Sequence, residues 1–205
     1  MKKDHEQIYT IKESDIQRTG VILAEAFQND PVWDNVLENT TIEQKRAFFE
    51  SPVRYGLRYG NVYAPSPNIE GTAVWVPGKY ADLTIGRGIR SGSMLSAMKI
   101  GLHCMLKMKP IFEPLEKDRK DKMKGKSYIY LMIIGVSPEY QGKGFGGRLL
   151  KPLIQESNEL RVPIYLETST ERNVRMYQHF GFNIVGKLTH PIINIPQWQM
   201  LRESS

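Results

Sequence analysis

Residues 133 to 154 read IIGVSPEYQGKGFGGRLLKPLI. An apolar run ends in a turn, the turn becomes a glycine cluster, and the cluster opens a helix. Glycines permit a backbone that side chains would obstruct, so a close visitor is expected there. The free N–H groups at a helix start attract anions, phosphates above all. Three phosphate-binding patterns compete for the cluster. The P-loop needs Lys-Ser/Thr after its last glycine; here Lys143 lies between glycines and no hydroxyl follows, which excludes it. The dinucleotide fingerprint G-x-G-x-x-G matches at Gly142, Gly144 and Gly147, and Glu167 follows about 20 residues on, where that motif wants an acid. Against it, SPEYQ separates the strand from the first glycine, and too little chain follows for a doubly wound domain. The third pattern, Q/R-x-x-G-x-G/A, falls on Gln141, Gly144 and Gly146 and describes a helix N-terminus that receives a pyrophosphate. A glycine-rich strand-to-helix turn that binds nothing would carry the same letters.

The elements that must position these residues follow from spacing. SYIYLMIIGV reads as a β-branched and aromatic strand, GFGGRLLKPLIQESNEL as a helix containing Pro152, VPIYLETS as a second strand, and ERNVRMYQHF as a helix stopped at Gly181. Strand, helix, strand, helix predicts a parallel pair with a right-handed crossover. FNIVGKL and QWQMLRE close with two more strands. Upstream, ESDIQRTGVILAEAF carries a capping-box pattern at Ser14 and Gln17, Asp30-Pro31 reads as the cap and first residue of a short helix, and Thr41 with Gln44 repeats the box before a helix kinked at Pro52. NVYAPSPNIEGTAVWVPGK predicts two strands around a turn, and residues 81–125 read as helical. The fold class is α/β, in a single domain over 1–205.

The combination is recognisable. GVSPEYQGKGFG, the proline in LLKPLI, VPIYLETS, NVRMYQHFGF and the closing WQMLR make residues 128 to 202 resemble the GCN5-related N-acetyltransferases, most of all their puromycin-acetylating branch; AEAFQNDP and TAVWVP add a weaker likeness upstream. The resemblance implies a mixed, splayed sheet flanked by helices, with 81–125 as a helical insertion, and acetyl-CoA as acetyl donor. It implies that amides of Gln141, Gly142, Lys143, Gly144, Phe145, Gly146 and Gly147 hold the coenzyme diphosphate. It further implies that Ile134, Gly135 and Val136, at the end of their strand, hydrogen-bond the pantetheine arm.

Amide formation from a thioester needs a neutral amine, a donor for the carbonyl oxygen and a proton for the departing thiolate. Tyr177 stands where the family places its general acid. Asn173 lies one turn earlier on the same helix face and is a candidate coenzyme contact or a cap. A backbone N–H near Ile134 or Val136 is the expected oxyanion donor. Glu167 is the best carboxylate for a base, though an ion pair or bonds to neighbouring amides would explain it equally. Trp33, Phe49 and Trp75, with Phe48 and Tyr55, are candidates for an aromatic acceptor pocket; core filling satisfies the same pattern. His179 falls on another helix face, Cys104 reads as packing in a Met-rich helix, and the four histidines show no metal-ligand spacing.

Composition bounds the rest. The lone cysteine excludes an internal disulfide and fits a reducing, cytoplasmic setting. MKKDHEQIYT has no apolar run after its lysines, and MLSAMKIGLHCMLKM is too short and too broken by charge to span a bilayer. Net charge is +6, with much of the excess in KMKPIFEPLEKDRKDKMKGK, where interleaved acids suggest a solvated, salt-bridged helix rather than a nucleic-acid patch. The expected partner is a small-molecule primary amine, puromycin-like or other, with no nucleic acid and no membrane; a homodimer is compatible with the pattern. A protein or peptide amine, a non-catalytic acyl-CoA sensor and a nucleotide-dependent reductase are the competing readings.

Overall fold

The computed structural model describes residues 8–190 and 192–205; the opening seven residues, with most of the stretch read for a leader, lie outside it. Seven strands form one sheet: β1 (Tyr9–Thr10), β2 (Asn61–Ala64), β3 (Gly71–Pro77), β4 (Ile129–Val136), β5 (Ile164–Thr168), β6 (Asn183–Thr189) and β7 (Pro196–Arg202), in the order β1-β2-β3-β4-β5-β7-β6. Among these strands only β4 and β5 pair in parallel. The helix between them is α7 (Phe145–Leu160), as the spacing predicts.

The upstream helices are α1 (Ile16–Ala26), α2 (Pro31–Val36) and α3 (Ile42–Tyr59). The Asp30 carboxylate accepts from the amides of Val32 (3.0 Å) and Trp33 (3.2 Å), and Thr41 and Gln44 bond reciprocally, so both expected caps form. The Ser14–Gln17 box does not. A 3-10 turn over Glu13–Asp15 precedes α1, and the closing acceptor is Asp15, one residue later, whose carboxylate takes the Lys12 amide and the Tyr9 hydroxyl, each at 2.9 Å. The insertion holds α4 (Ile85–Ser91), α5 (Ser93–Ala97) and α6 (Leu102–Lys122), and α8 (Glu171–His179) follows β5. Gly181, at φ +85°, ends α8 as expected.

Each face of the sheet carries its own core. On one, Leu23, Phe49, Val53 and Val74 pack together; on the other, Trp75, Leu149, Leu150, Leu153 and Tyr177. Burying each of the three leucines is worth about 1.5–3 kcal/mol. Strand β4 serves both faces but not by simple alternation. Trp75 pairs with Leu131 and Val74 with Ile133, so Met132 is an extra residue, a β-bulge. Ile129 and Leu131 join the α7 core, Met132 and Ile133 both face the α1/α3 core, and Ile134 and Val136 return to the α7 side. The bulge therefore reverses the facing of the strand's second half, which the letters IYLMIIGV do not reveal.

Gly135 then faces α1. A Cβ there would stand 2.9 Å from the Ala26 Cβ and 3.1 Å from Leu23 and Phe27, so the glycine has a packing reason of its own. Gly135→Val should lower unfolding stability by about 1–3 kcal/mol through overpacking. Denaturant titration measures this; wild-type stability would show that α1 moves aside at no cost.

Candidate active site

The sheet opens where β4 and β5 meet. They pair at only two positions, Ile129↔Ile164 and Tyr130↔Tyr165. Beyond Tyr130, β4 stays with β3 as far as Val136, while β5 stays with β7 as far as Thr168. The gap holds a cavity of about 340 Å³ whose lining includes Ile133 and Ile134 on one lip and Leu166 to Ser169 on the other. Because the sheet itself is parted, the cavity reaches both faces. On the α1/α3 side its walls are aromatic: Trp33 lies 5.5 Å from Phe49 and 5.4 Å from Phe48 and Phe112, and Phe27 stacks on Phe49 at 5.5 Å. On the α7 side stand Asn173 and Tyr177.

Tyr177 is held by local structure. Thr170 caps α8 by accepting the Asn173 amide at 3.3 Å, and the Tyr177 ring meets Phe182 edge-on at 5.5 Å. The phenol is buried, and burial pushes its pKa well above the usual tyrosine value. It is therefore protonated at neutral pH, the state a general acid requires.

Glu167, near the end of β5, is mostly buried, its side chain 9% exposed, and this burial raises its carboxyl pKa. The charge of Arg119, 3.3 Å away, and a hydrogen bond from Tyr130 oppose that rise. Arg119 also pairs with Asp82 at 3.2 Å and lies 4.4 Å above the Tyr130 ring centroid.

The glycine loop stands at the start of α7. Gly142 and Gly144 have φ of +76° and +83°, and a Cβ on either would meet nothing within 4 Å. Their need is conformational, and the space above them is open. Gly144 is the N-cap and offers no side-chain acceptor, so the first amides of α7 keep their capacity to bind an anion. Gly147 differs: a Cβ there would press to 3.0 Å on the Phe180 ring. The Gln141 amide donates to the Val136 carbonyl at 3.0 Å and so ties the loop to the end of β4. Lys143 lies 5.5 Å from the Tyr140 ring centroid.

Residues 109–182, from within α6 to just past α8, match the Acetyltransferase (GNAT) family, over about a third of the chain. The chain is an N-acetyltransferase. An uncharacterised N-acetyltransferase of Schizosaccharomyces pombe is 27% identical over 180 residues, 84% of this chain and 72% of that protein. Two solved structures share the fold: the polyamine N-acetyltransferase of Drosophila melanogaster (TM-score 0.63, 14% identity, 96% of this chain and 99% of that one) and a putative arylalkylamine N-acetyltransferase of Aedes aegypti (TM-score 0.69, 12%, 96% and 86%).

In this N-acetyltransferase, Tyr177, Asn173, Glu167, Ile134, Trp33 and Phe49 meet at one cavity. Trp75 does not join them. It is fully buried in the α7 core, where its indole N–H donates to Glu156 at 2.8 Å. Val136 is outside the lining as well. His179 is exposed and Cys104 buried, as read from the sequence. Residues 107–126 are salt-bridged on their outer side, by Lys120–Glu116 and Lys122–Asp118, but Arg119 departs from the solvated reading at 5% exposure. A signal existed: Arg119 continues the four-residue step of the buried Ile111 and Leu115.

Arg119→Gln should move the Glu167 titration midpoint upward, since burial would then act with less opposition. An unfolded glutamate ionises at lower pH, so the variant should also lose stability as pH rises through the folded midpoint. Carboxyl carbon-13 NMR reads the shift. An unchanged or lowered midpoint would mean that Arg119 does not set the charge of Glu167.

Proposed function

We propose that this enzyme acetylates a primary amine carried by a small, largely apolar molecule, with acetyl-CoA as donor and both substrates bound together. The observation that carries the reading is the cavity through the parted sheet, with a glycine-started helix and Tyr177 on one face and an aromatic wall on the other. Acetyl-CoA would supply an acetyl group already activated as a thioester. The amides from Gly142 to Gly147 hold its diphosphate, the Gln141 N–H being already given to the Pro138 carbonyl, Asn173 contacts its arm, and the backbone of β4 around Ile134 hydrogen-bonds the arm and the carbonyl oxygen.

Trp33 and Phe49 seat the acceptor, with the amine turned toward the gap. The amine nitrogen forms the new C–N bond as the C–S bond breaks. Tyr177 gives its proton to the leaving sulfur. Glu167, held by Arg119, takes the amine proton directly or through water, and burial raises its carboxyl pKa in the direction a base needs. The aromatic wall favours amines that carry an aryl group, such as the arylalkylamines named for the Aedes aegypti structure, over fully extended polyamines. An aminonucleoside such as puromycin falls within the apolar class.

Two measurements test this. Thiol release from acetyl-CoA should be fastest with arylalkylamines or puromycin in a panel that also contains spermidine and a peptide amine; turnover with the peptide alone would contradict the acceptor class, and no turnover with any amine would contradict an enzyme of this kind. Tyr177→Phe keeps the ring and loses only the hydroxyl, an interaction made mainly in the transition state. Its single-turnover rate should fall about 10²–10⁴-fold with little change in coenzyme affinity. A wild-type rate in the folded variant would reduce Tyr177 to packing.

A further inference from the structure

Helix α5 is built inside out. In α5, Ser93 and Ser96 are each only 3% exposed, whereas Leu95 between them is 72% exposed. Ser96 faces α3: its Oγ accepts from Arg54 Nε at 3.0 Å and donates to Glu50 at 3.4 Å, and Arg54 and Glu50 pair at 2.9 Å, while Ser93 Oγ accepts from Ser91 at 2.9 Å and donates to the Gly88 carbonyl at 3.4 Å. Polar side chains thus occupy the inward face, and the aliphatic ones point outward. The neighbours continue the pattern, with Ile85 and Leu102 at 72% exposed, Leu106 at 66% and Ile89 at 63%. An amphipathic surface helix normally does the reverse. Exposed aliphatic clusters of this kind mark a surface that something covers.

Charge identifies the covering. From Leu83 to Phe112 the chain has five Lys or Arg and no Asp or Glu. Arg90, Lys99 and Lys109 are exposed among the aliphatics, and none of them has an ion pair among the described residues. A second copy of the chain, docked by the same face, would set cation against cation. A surface with apolar depth and negative headgroups complements both features at once.

We infer that residues 83–109 dock the enzyme peripherally onto an anionic lipid surface, with the aliphatic side chains entering the headgroup boundary and the Lys and Arg side chains meeting lipid phosphates. The sequence alone suggested no membrane partner, and no helix among the described residues is long and apolar enough to cross one, so the contact is an interfacial one. Leu83 and Ala97 of the same segment line the cavity, so the docked face adjoins the acceptor side.

The full chain should pellet with phosphatidylcholine–phosphatidylglycerol vesicles at low salt. Binding should be about tenfold or more weaker to pure phosphatidylcholine, and should weaken as salt is raised. A Leu95→Ser/Leu102→Ser/Leu106→Ser variant and a Lys99→Glu/Lys109→Glu variant, both shown folded by circular dichroism, should each lose most of the binding. Failure of the wild type to pellet at low salt would overturn the inference, and equal pelleting with neutral vesicles would overturn the anionic partner. If sedimentation shows a dimer in solution that the serine variant dissociates, a second copy covers the face instead, and the lipid assignment falls.

Discussion

The separation of β4 from β5 after two residue pairs is the constraint on which the site depends. Hydrogen-bonded strands lie about 4.8 Å apart and leave no room between them. Each strand can leave the other because it has a second partner: β3 pairs along the whole of β4, and β7 along the whole of β5. The bulge at Met132 acts just past the last parallel pair. It sends Met132 and Ile133 to the α1/α3 face and Ile134 to the other. Phe27, just past α1, and aromatic side chains from α2, α3 and α6 thereby face the same opening as Tyr177 of α8.

Burial sets the chemistry of the opening. Several ionisable groups with raised pKa values meet it, Tyr177 and Glu167 among them. Tyr177 has burial alone acting on it and stays a proton donor. Glu167 has burial opposed by Arg119 and by the Tyr130 hydroxyl. Arg119 comes from the inserted helix α6, and Asp82 at the insertion's start shares it. The insertion is thus tied through Arg119 to Glu167 in the cavity wall.

Local physics was legible in the sequence. Asp30-Pro31 and Thr41/Gln44 cap helices because their partners lie two or three residues away. The strand–helix–strand run, the open glycines Gly142 and Gly144, and the shared helix face of Asn173 and Tyr177 follow from equally short spacings. What escaped depends on distant neighbours. Trp33 and Trp75 look alike as letters; one meets Phe112 in the cavity wall, the other donates to Glu156, 81 positions away. Arg119 was hidden in a charge run because Glu167 is 48 residues on. The bulge at Met132 exists only in the register with β3. Ser14 lost its capping role to Asp15 because Tyr9 and Lys12 converge on the latter.

The central claim, that the parted sheet and the start of α7 form a coenzyme site, is tested most directly by calorimetric titration of acetyl-CoA into the wild-type enzyme and into Gly144→Val. At φ +83° a β-branched side chain is strained, and it would stand in the open space where the diphosphate belongs. One-to-one binding to the wild type and none to the folded variant is the expected result. Equal affinity in both proteins would contradict it.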